Sequence, residues 1–144
     1  MPGPADVQVL VEGKATGYTL ILEEPLSFWG GLDHATGEII DRRHPQSGEN
    51  VRGRMLCMPA GRGSSSSSSV LAEAIRAGTA PAGIVLREPD GIVALGAIVA
   101  QELYGTIMPV VVVGPDVWGG LEDETGLGID GARLSLFVDR EDPR

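Results

Sequence analysis

Cysteine, lysine and aromatic residues are nearly missing from this chain, and each shortage removes a class of function. A single cysteine, Cys57, cannot close an internal disulfide, and no Cys-x-x-Cys pair or Cys/His cluster has metal-site spacing. Its neighbours Leu56 and Met58 are apolar, so a buried, inert thiol is expected rather than a nucleophile. His34 and His44 lie in polar sequence without ligand spacing, and both are expected at the surface. Lys14 is the sole lysine among eleven basic residues, set against twenty acidic ones for a net charge of −9. Without a basic cluster, nucleic acid is a poor partner because phosphate neutralisation dominates that affinity, and anionic membranes are equally poor. Nor does any run approach the roughly 18 apolar residues of a membrane span, and no charged-then-apolar leader opens the chain, so a cytoplasmic protein is expected. No period of about 20–50 residues recurs, which excludes a repeat architecture.

What is abundant is glycine, with 21 residues, and an apolar fraction of 42% in which aromatics contribute only 4%. That composition suits one loop-rich domain over residues 1–144 with a core of Val, Leu, Ile and Ala. Loose tails are expected over 1–6 and 140–144.

The most informative stretch runs from Ala60 to Leu71. Met55-Leu56-Cys57-Met58 leads through Pro59 into Gly61-Arg62-Gly63, six serines follow, and an amphipathic pattern begins at Val70. Strand, tight loop, helix is the reading, with the serines on the loop and first helical turn. A helix N-terminus carries unpaired N–H groups and partial positive charge, so such a loop attracts anions. Glycines on either side of Arg62 let the backbone turn and approach a ligand closely. Serine runs are more often flexible linkers. Here the run abuts apolar segments on both sides, and a linker would leave pieces of about 60 and 75 residues, small for independent cores.

From Ser66 to Val113 the pattern is helix, strand, helix, strand. Val70, Leu71, Ala74 and Ile75 share a helical face, Gly78 stops that helix, and Gly83-Ile84-Val85-Leu86 is a short buried strand. Ile92 to Tyr104 is a helix apolar almost all round, and Pro109 to Gly114 carries a β-branched run typical of a strand buried on both faces. Two β–α units with parallel pairing follow. Val7 to Val11 and Ala15 to Glu24 are β-rich, Arg42 to Arg54 is an exposed loop, Pro115 to Gly131 an acidic glycine-rich excursion, and Ala132 to Asp139 a last strand. Between Ser27 and Asp41 a strand enters a tight loop and leaves through another. There Asp33 either caps its own turn or faces a ligand.

Several segments together are similar to the small subunit, or swivelling domain, of the aconitase X family. They are Gly30-Gly31-x-Asp33-x-x-Thr36-Gly37, Gly61-Arg62-Gly63-Ser64-Ser65, Pro81-Ala82-Gly83-Ile84 followed by Asp90, and Gly96 to Leu103 with Pro109-Val110-Val111. The resemblance implies an α/β fold of the swivelling β/β/α type, like the small domain of aconitase. It implies closure over a large subunit that carries iron or an iron–sulfur cluster, with no cofactor on this chain. It also implies dehydration of a small anionic hydroxy acid: cis-3-hydroxy-L-proline in many bacteria, mevalonate 5-phosphate in archaea. Ser64 maps to the general base. Arg62, Gly63, Ser65 and Asp33 are the expected substrate contacts. The family's aconitase relatives place a carboxylate-binding arginine after paired serines, where this chain has Ser66, which leaves Arg62 or the partner to supply that contact. A non-catalytic swivel domain binding organic anions or a protein partner is the alternative. A phosphohistidine-type swivel domain is disfavoured, since neither His34 nor His44 lies in a glycine–threonine–serine–histidine loop.

Overall fold

The computed structural model describes residues 6–137. In chain order these form β1 (Val7–Val11), β2 (Lys14–Ile21), β3 (Leu26–Ser27), a kinked helical turn α1 (Phe28–Gly31), β4 (Leu32–Asp33) and β5 (Glu38–Ile39). Then come β6 (Met55–Met58), β7 (Gly61–Arg62), α2 (Ser65–Ala77), β8 (Gly83–Leu86) and α3 (Gly91–Tyr104). β9 (Val110–Val113), α4 (Pro115–Gly119), β10 (Gly126–Asp130) and β11 (Arg133–Phe137) complete the set.

Seven strands make one sheet in the order β1-β9-β8-β6-β2-β10-β11. Its centre, β9-β8-β6-β2, is parallel, and β1, β10 and β11 add antiparallel flanks. The two β–α units read from the sequence are therefore present with parallel pairing, Met55 to Met58 in register with Gly83 to Leu86. Side chains alternate across a strand, and here both faces are covered. Leu56, Met58, Ile84, Leu86, Val110 and Val112 join the cluster under α2 and α3, while Met55, Cys57, Val85, Val111 and Val113 pack with Leu127, Ile129 and Leu134 on the other side. Each such fully buried aliphatic side chain contributes about 1.5–3 kcal/mol relative to exposure. Burial on both sides explains why these strands read as continuous apolar runs.

The helices end where the sequence indicates: Gly78 and Gly105 take left-handed φ values of 78° and 72°, and their N–H groups satisfy last-turn carbonyls. A Cβ on Gly96 would lie 2.9 Å from the Ser68 carbonyl oxygen, so this glycine sets the close approach of α3 to α2. Helix α3 is not enclosed, however. Val93, Ala97 and Ala100 are buried, but Leu95, Ile98 and Leu103 face solvent.

Two expectations are corrected. His44 is buried rather than superficial. Its Nδ1 accepts the Gln46 N–H at 3.0 Å, which leaves the proton on Nε2 to be donated to the Glu24 carbonyl at 3.0 Å. It fastens the 41–49 loop, whereas His34 is exposed as expected. The acidic excursion contains α4 and the whole of β10. Its 122–125 turn is held by Thr19, whose hydroxyl donates to the Glu122 carbonyl and accepts the Thr125 N–H, and by Arg54, which pairs with Glu124. Of the tail expected over 1–6, Asp6 is described, and its carbonyl accepts the Gly114 N–H. The tail at 140–144 lies outside the described residues.

Candidate active-site rim

The four parallel strands end at a common rim, and the connections leaving them carry the residues of interest. β6 runs through Pro59 into β7, which pairs in parallel with β3: Leu26 with Gly61, Ser27 with Arg62. This brings the 26–29 segment alongside the glycine–arginine–glycine loop. Gly63 then takes φ +111°, a region L side chains rarely adopt, and the chain enters α2.

Ser64, not a later serine, is the N-cap of α2. It is extended (φ −102°, ψ −172°), solvent-exposed, and its Oγ accepts the Ser66 N–H at 3.4 Å. The serines therefore lie on the loop and first helical turn as expected, with the cap at the first of them. A run of identical residues offers no local contrast to mark the cap, and the left-handed Gly63 decides it. Ser65 opens the helix, exposed, with its carbonyl accepting the Ser68 hydroxyl at 2.6 Å. Ser67 and Ser68 are buried. The Ser67 Oγ donates to the Arg62 carbonyl at 3.4 Å and accepts the Trp29 N–H at 3.4 Å, while Ser27 donates to the Trp29 carbonyl at 2.9 Å.

Arg62 is exposed, and its guanidinium makes no hydrogen bond or ion pair with any described residue. A second such cation, Arg87, follows β8. Its N–H donates to the Pro59 carbonyl at 3.1 Å, which seats it beside the start of the loop. Sequence reasoning missed Arg87, although its position one residue past β8 matches that of Pro59 past β6. Asp90 caps α3, its Oδ1 accepting the Ile92 and Val93 N–H groups at 2.9 and 3.0 Å. Its Oδ2 lies 2.4 Å from where a Gly61 Cβ would stand, so Gly61 is a glycine because Asp90 fills that space. The rim therefore joins two helix N-termini, two unpaired arginines and an exposed serine oxygen, an arrangement suited to a carboxylate or similar anion.

Asp33 is used differently. Its Oδ1 accepts the Ala35 N–H at 2.9 Å and its carbonyl accepts the N–H groups of Thr36 and Gly37. Thr79, just past the C-terminus of α2, donates to the neighbouring His34 carbonyl at 2.6 Å. Helix α2 is about 20 Å long at 1.5 Å per residue, so this turn stands at the opposite end from Ser64. The rim thus assembles Arg62, Gly63, Ser64 and Ser65 but not Asp33.

Among the described residues, no group of three or more His, Cys, Asp and Glu side chains is arranged to hold a metal ion. Cys57 is no substitute: burial and the nearby Asp123 charge push its thiol up to about 12. No described helix is long and apolar enough to cross a membrane. A cavity of about 400 Å³ lies between α4, β10 and β11, lined by Val117, Leu121, Leu127 and Leu134, with no residue of the serine loop in its wall.

A curled, largely parallel α/β sheet whose strands end at an anion-receptive rim defines an α/β domain of the swivelling type. The description "Aconitase X swivel domain" matches residues 5–137, and the chain belongs to that family. It is 54% identical over 107 residues to a cis-3-hydroxy-L-proline dehydratase of Pseudomonas aeruginosa, covering 74% of this chain but 18% of that protein. A phosphomevalonate dehydratase small subunit of Methanothermobacter thermautotrophicus is 39% identical over 125 residues, 87% of this chain and 92% of that one. The crystal structure of Thermococcus kodakaraensis aconitase X in its holo-form superposes with a TM-score of 0.80 at 30% identity, covering 91% of this chain and 95% of that chain. The chain thus spans less than a fifth of the hydroxyproline relative and nearly all of the phosphomevalonate one.

Proposed function

We propose that the chain is the small subunit of a cytoplasmic, two-subunit aconitase X-type hydro-lyase that dehydrates a small hydroxy acid, cis-3-hydroxy-L-proline foremost. The observation that carries this is the placement of Ser64: an exposed hydroxyl at the N-cap of α2, between a left-handed glycine and the helix amides, beside an unpaired Arg62. N-cap serines are ordinarily caps and nothing more. This one stands on the carboxyl rim of the parallel strands, two residues from the exposed Arg62, with Arg87 seated at the start of the same loop.

In the reaction, the Ser64 Oγ takes the proton from the carbon bearing the carboxylate. The neighbouring carbon–hydroxyl bond breaks as the double bond forms, and the abstracted proton and departing hydroxide together make one water. A serine alkoxide is scarce because its parent hydroxyl has a very high pKa. The Ser66 N–H already aimed at the oxygen, and the partial positive charge of α2, stabilise that form over bulk water. Arg62, the Gly63 backbone and Ser65 hold the substrate carboxylate. In this reading any iron or iron–sulfur centre belongs to the large subunit. Asp33 is assigned to its turn.

The 54% identity to a hydroxyproline dehydratase favours that substrate. Mevalonate 5-phosphate is the second reading, favoured by coverage of nearly a whole phosphomevalonate dehydratase small subunit. Co-expression with the large subunit and assay of both substrates tests the proposal. The complex should be active, this chain alone inactive, and Ser64→Ala slower by about 10²–10⁴-fold, as for loss of a general base. Dehydration by the isolated chain, or a fully active Ser64→Ala complex, overturns it. Failure to bind any large subunit returns the chain to the non-catalytic, anion-binding alternative.

A further inference from the structure

Trp29 is the most exposed aromatic side chain among the described residues, 64% accessible, although its neighbour Phe28 is fully buried. Its backbone is nonetheless pinned. Ser27 donates to its carbonyl, Ser67 accepts its N–H, and Gly30 turns the chain away immediately afterwards at φ +81°. The same Ser67 hydroxyl reaches the Arg62 carbonyl and would touch any Cβ on Gly63 at 2.6 Å, so Trp29 is tied to the serine loop through one atom. An indole presented to solvent from a fixed backbone beside Ser64 is a feature the functional reading above leaves unused.

The charges of the rim say what such a face is suited to. Arg62, Arg87 and the α2 amides favour a carboxylate and repel a cation. Two carboxylates belong to these connections: Asp90 is committed through Oδ1 to two amides of α3, with Oδ2 packed against Gly61, and the exposed Glu88 follows Arg87, its N–H on the same Pro59 carbonyl. A zwitterionic amino acid bound there by its carboxylate would find the exposed indole face an attractive surface for its ammonium, and a pyrrolidine ring presents C–H groups that pack flat on it.

We propose that Trp29 is the subsite for the ammonium-bearing ring of the substrate, and so selects a cyclic amino acid over an acyclic phosphorylated acid. This rests on the hydroxyproline reading of the same site. The test uses the reconstituted two-subunit complex with Trp29→Phe and Trp29→Leu. Trp29→Leu should raise KM for cis-3-hydroxy-L-proline by about 3–30-fold, the range a cation–π contact supplies, with a smaller change in kcat, while Trp29→Phe keeps most of the affinity. L-proline and tetrahydrofuran-2-carboxylate, which lacks the ammonium, serve as paired competitive inhibitors. Trp29→Leu should weaken the first by about 3–30-fold and the second by less than about twofold. Equal weakening of both inhibitors overturns the proposal, as does loss of the subunit complex on gel filtration, which would make Trp29 a partner anchor. A wild-type complex active on hydroxyproline with an unaltered Trp29→Leu variant overturns the proposal alone. A wild-type complex active only on mevalonate 5-phosphate overturns the functional reading and this proposal together.

Discussion

The hydroxyls of Ser27 and Ser67 lie 3.3 Å apart, forty residues distant in the chain, on the side of Gly63 where a Cβ would project. Through them β3, the α1 turn, β7 and α2 are joined at one point. Ser67 is therefore not an interchangeable first-turn serine, as its place in a homogeneous run suggests. Ser67→Ala should strip the Arg62 carbonyl and the Trp29 N–H of their partner and destabilise the chain by about 1–3 kcal/mol, measured by urea unfolding. Ser69→Ala, at an exposed position, should shift stability by less than about 0.5 kcal/mol.

Gly63→Ala meets two obstacles. The added Cβ would stand 2.6 Å from the Ser67 Oγ and 2.8 Å from the Ser27 Oγ, and φ +111° is strained for any L side chain. The expected outcome is a loss of about 1–3 kcal/mol together with most of the activity of the complex, since the Ser64 cap is displaced. Unchanged thermal unfolding would show that the loop adopts another conformation in solution.

Arg62→Ala should behave in the opposite way. With no partner among the described residues and an exposed side chain, Arg62 contributes little to folding, so the unfolding midpoint should barely move. kcat/KM of the complex should fall by about 10–1000-fold. An unfolded Arg62→Ala protein would make the guanidinium a structural element and move the anion contact elsewhere, to Arg87 first.

Cys57 gives a pH-dependent prediction. Burial, then the Asp123 charge, raise its pKa from 9.0 to about 12 in the folded protein. Between those values the folded state keeps a proton that the unfolded state has released, so stability falls as pH rises from about 9 to 12. Cys57→Ser changes the ionising group and should flatten that part of the profile in denaturant titrations. A thiol reagent at neutral pH should react only after unfolding. Rapid labelling of the native chain would contradict the burial.

How much of this was legible in the sequence follows from burial. β6, β8 and β9 are covered on both faces and so appear as apolar runs, and α2 and α3 stop at glycines in the left-handed region. β10 was hidden because Gly126 and Gly128 read as loop. A Cβ on Gly126 would lie 2.6 Å from the Phe137 ring and backbone, so glycine is there to admit the neighbouring strand. His44 was misjudged because its burial comes from a carbonyl twenty residues away, which no local pattern announces. Within the site, the loop and its arginine were apparent from glycine spacing. Trp29 and Arg87 were not, since each is brought to the rim by sheet pairing, and Ser67 is set apart from its neighbours in the run only by the Trp29 N–H that this pairing brings to it.

A stretch of six identical residues can change its length by one without changing its character. The loss of one serine would leave a serine at every capping and buried hydroxyl position from 64 to 68, so the rim itself would look intact. The damage would fall further along α2. Each residue beyond the run would turn by about 100° about the helix axis. Glu73 would fall on the place now held by buried Ala72, and Arg76 on that of buried Ile75. The number of serines, more than their chemistry, keeps the apolar stripe of α2 on the sheet, and a contraction there should be recovered only with a compensating insertion before Glu73.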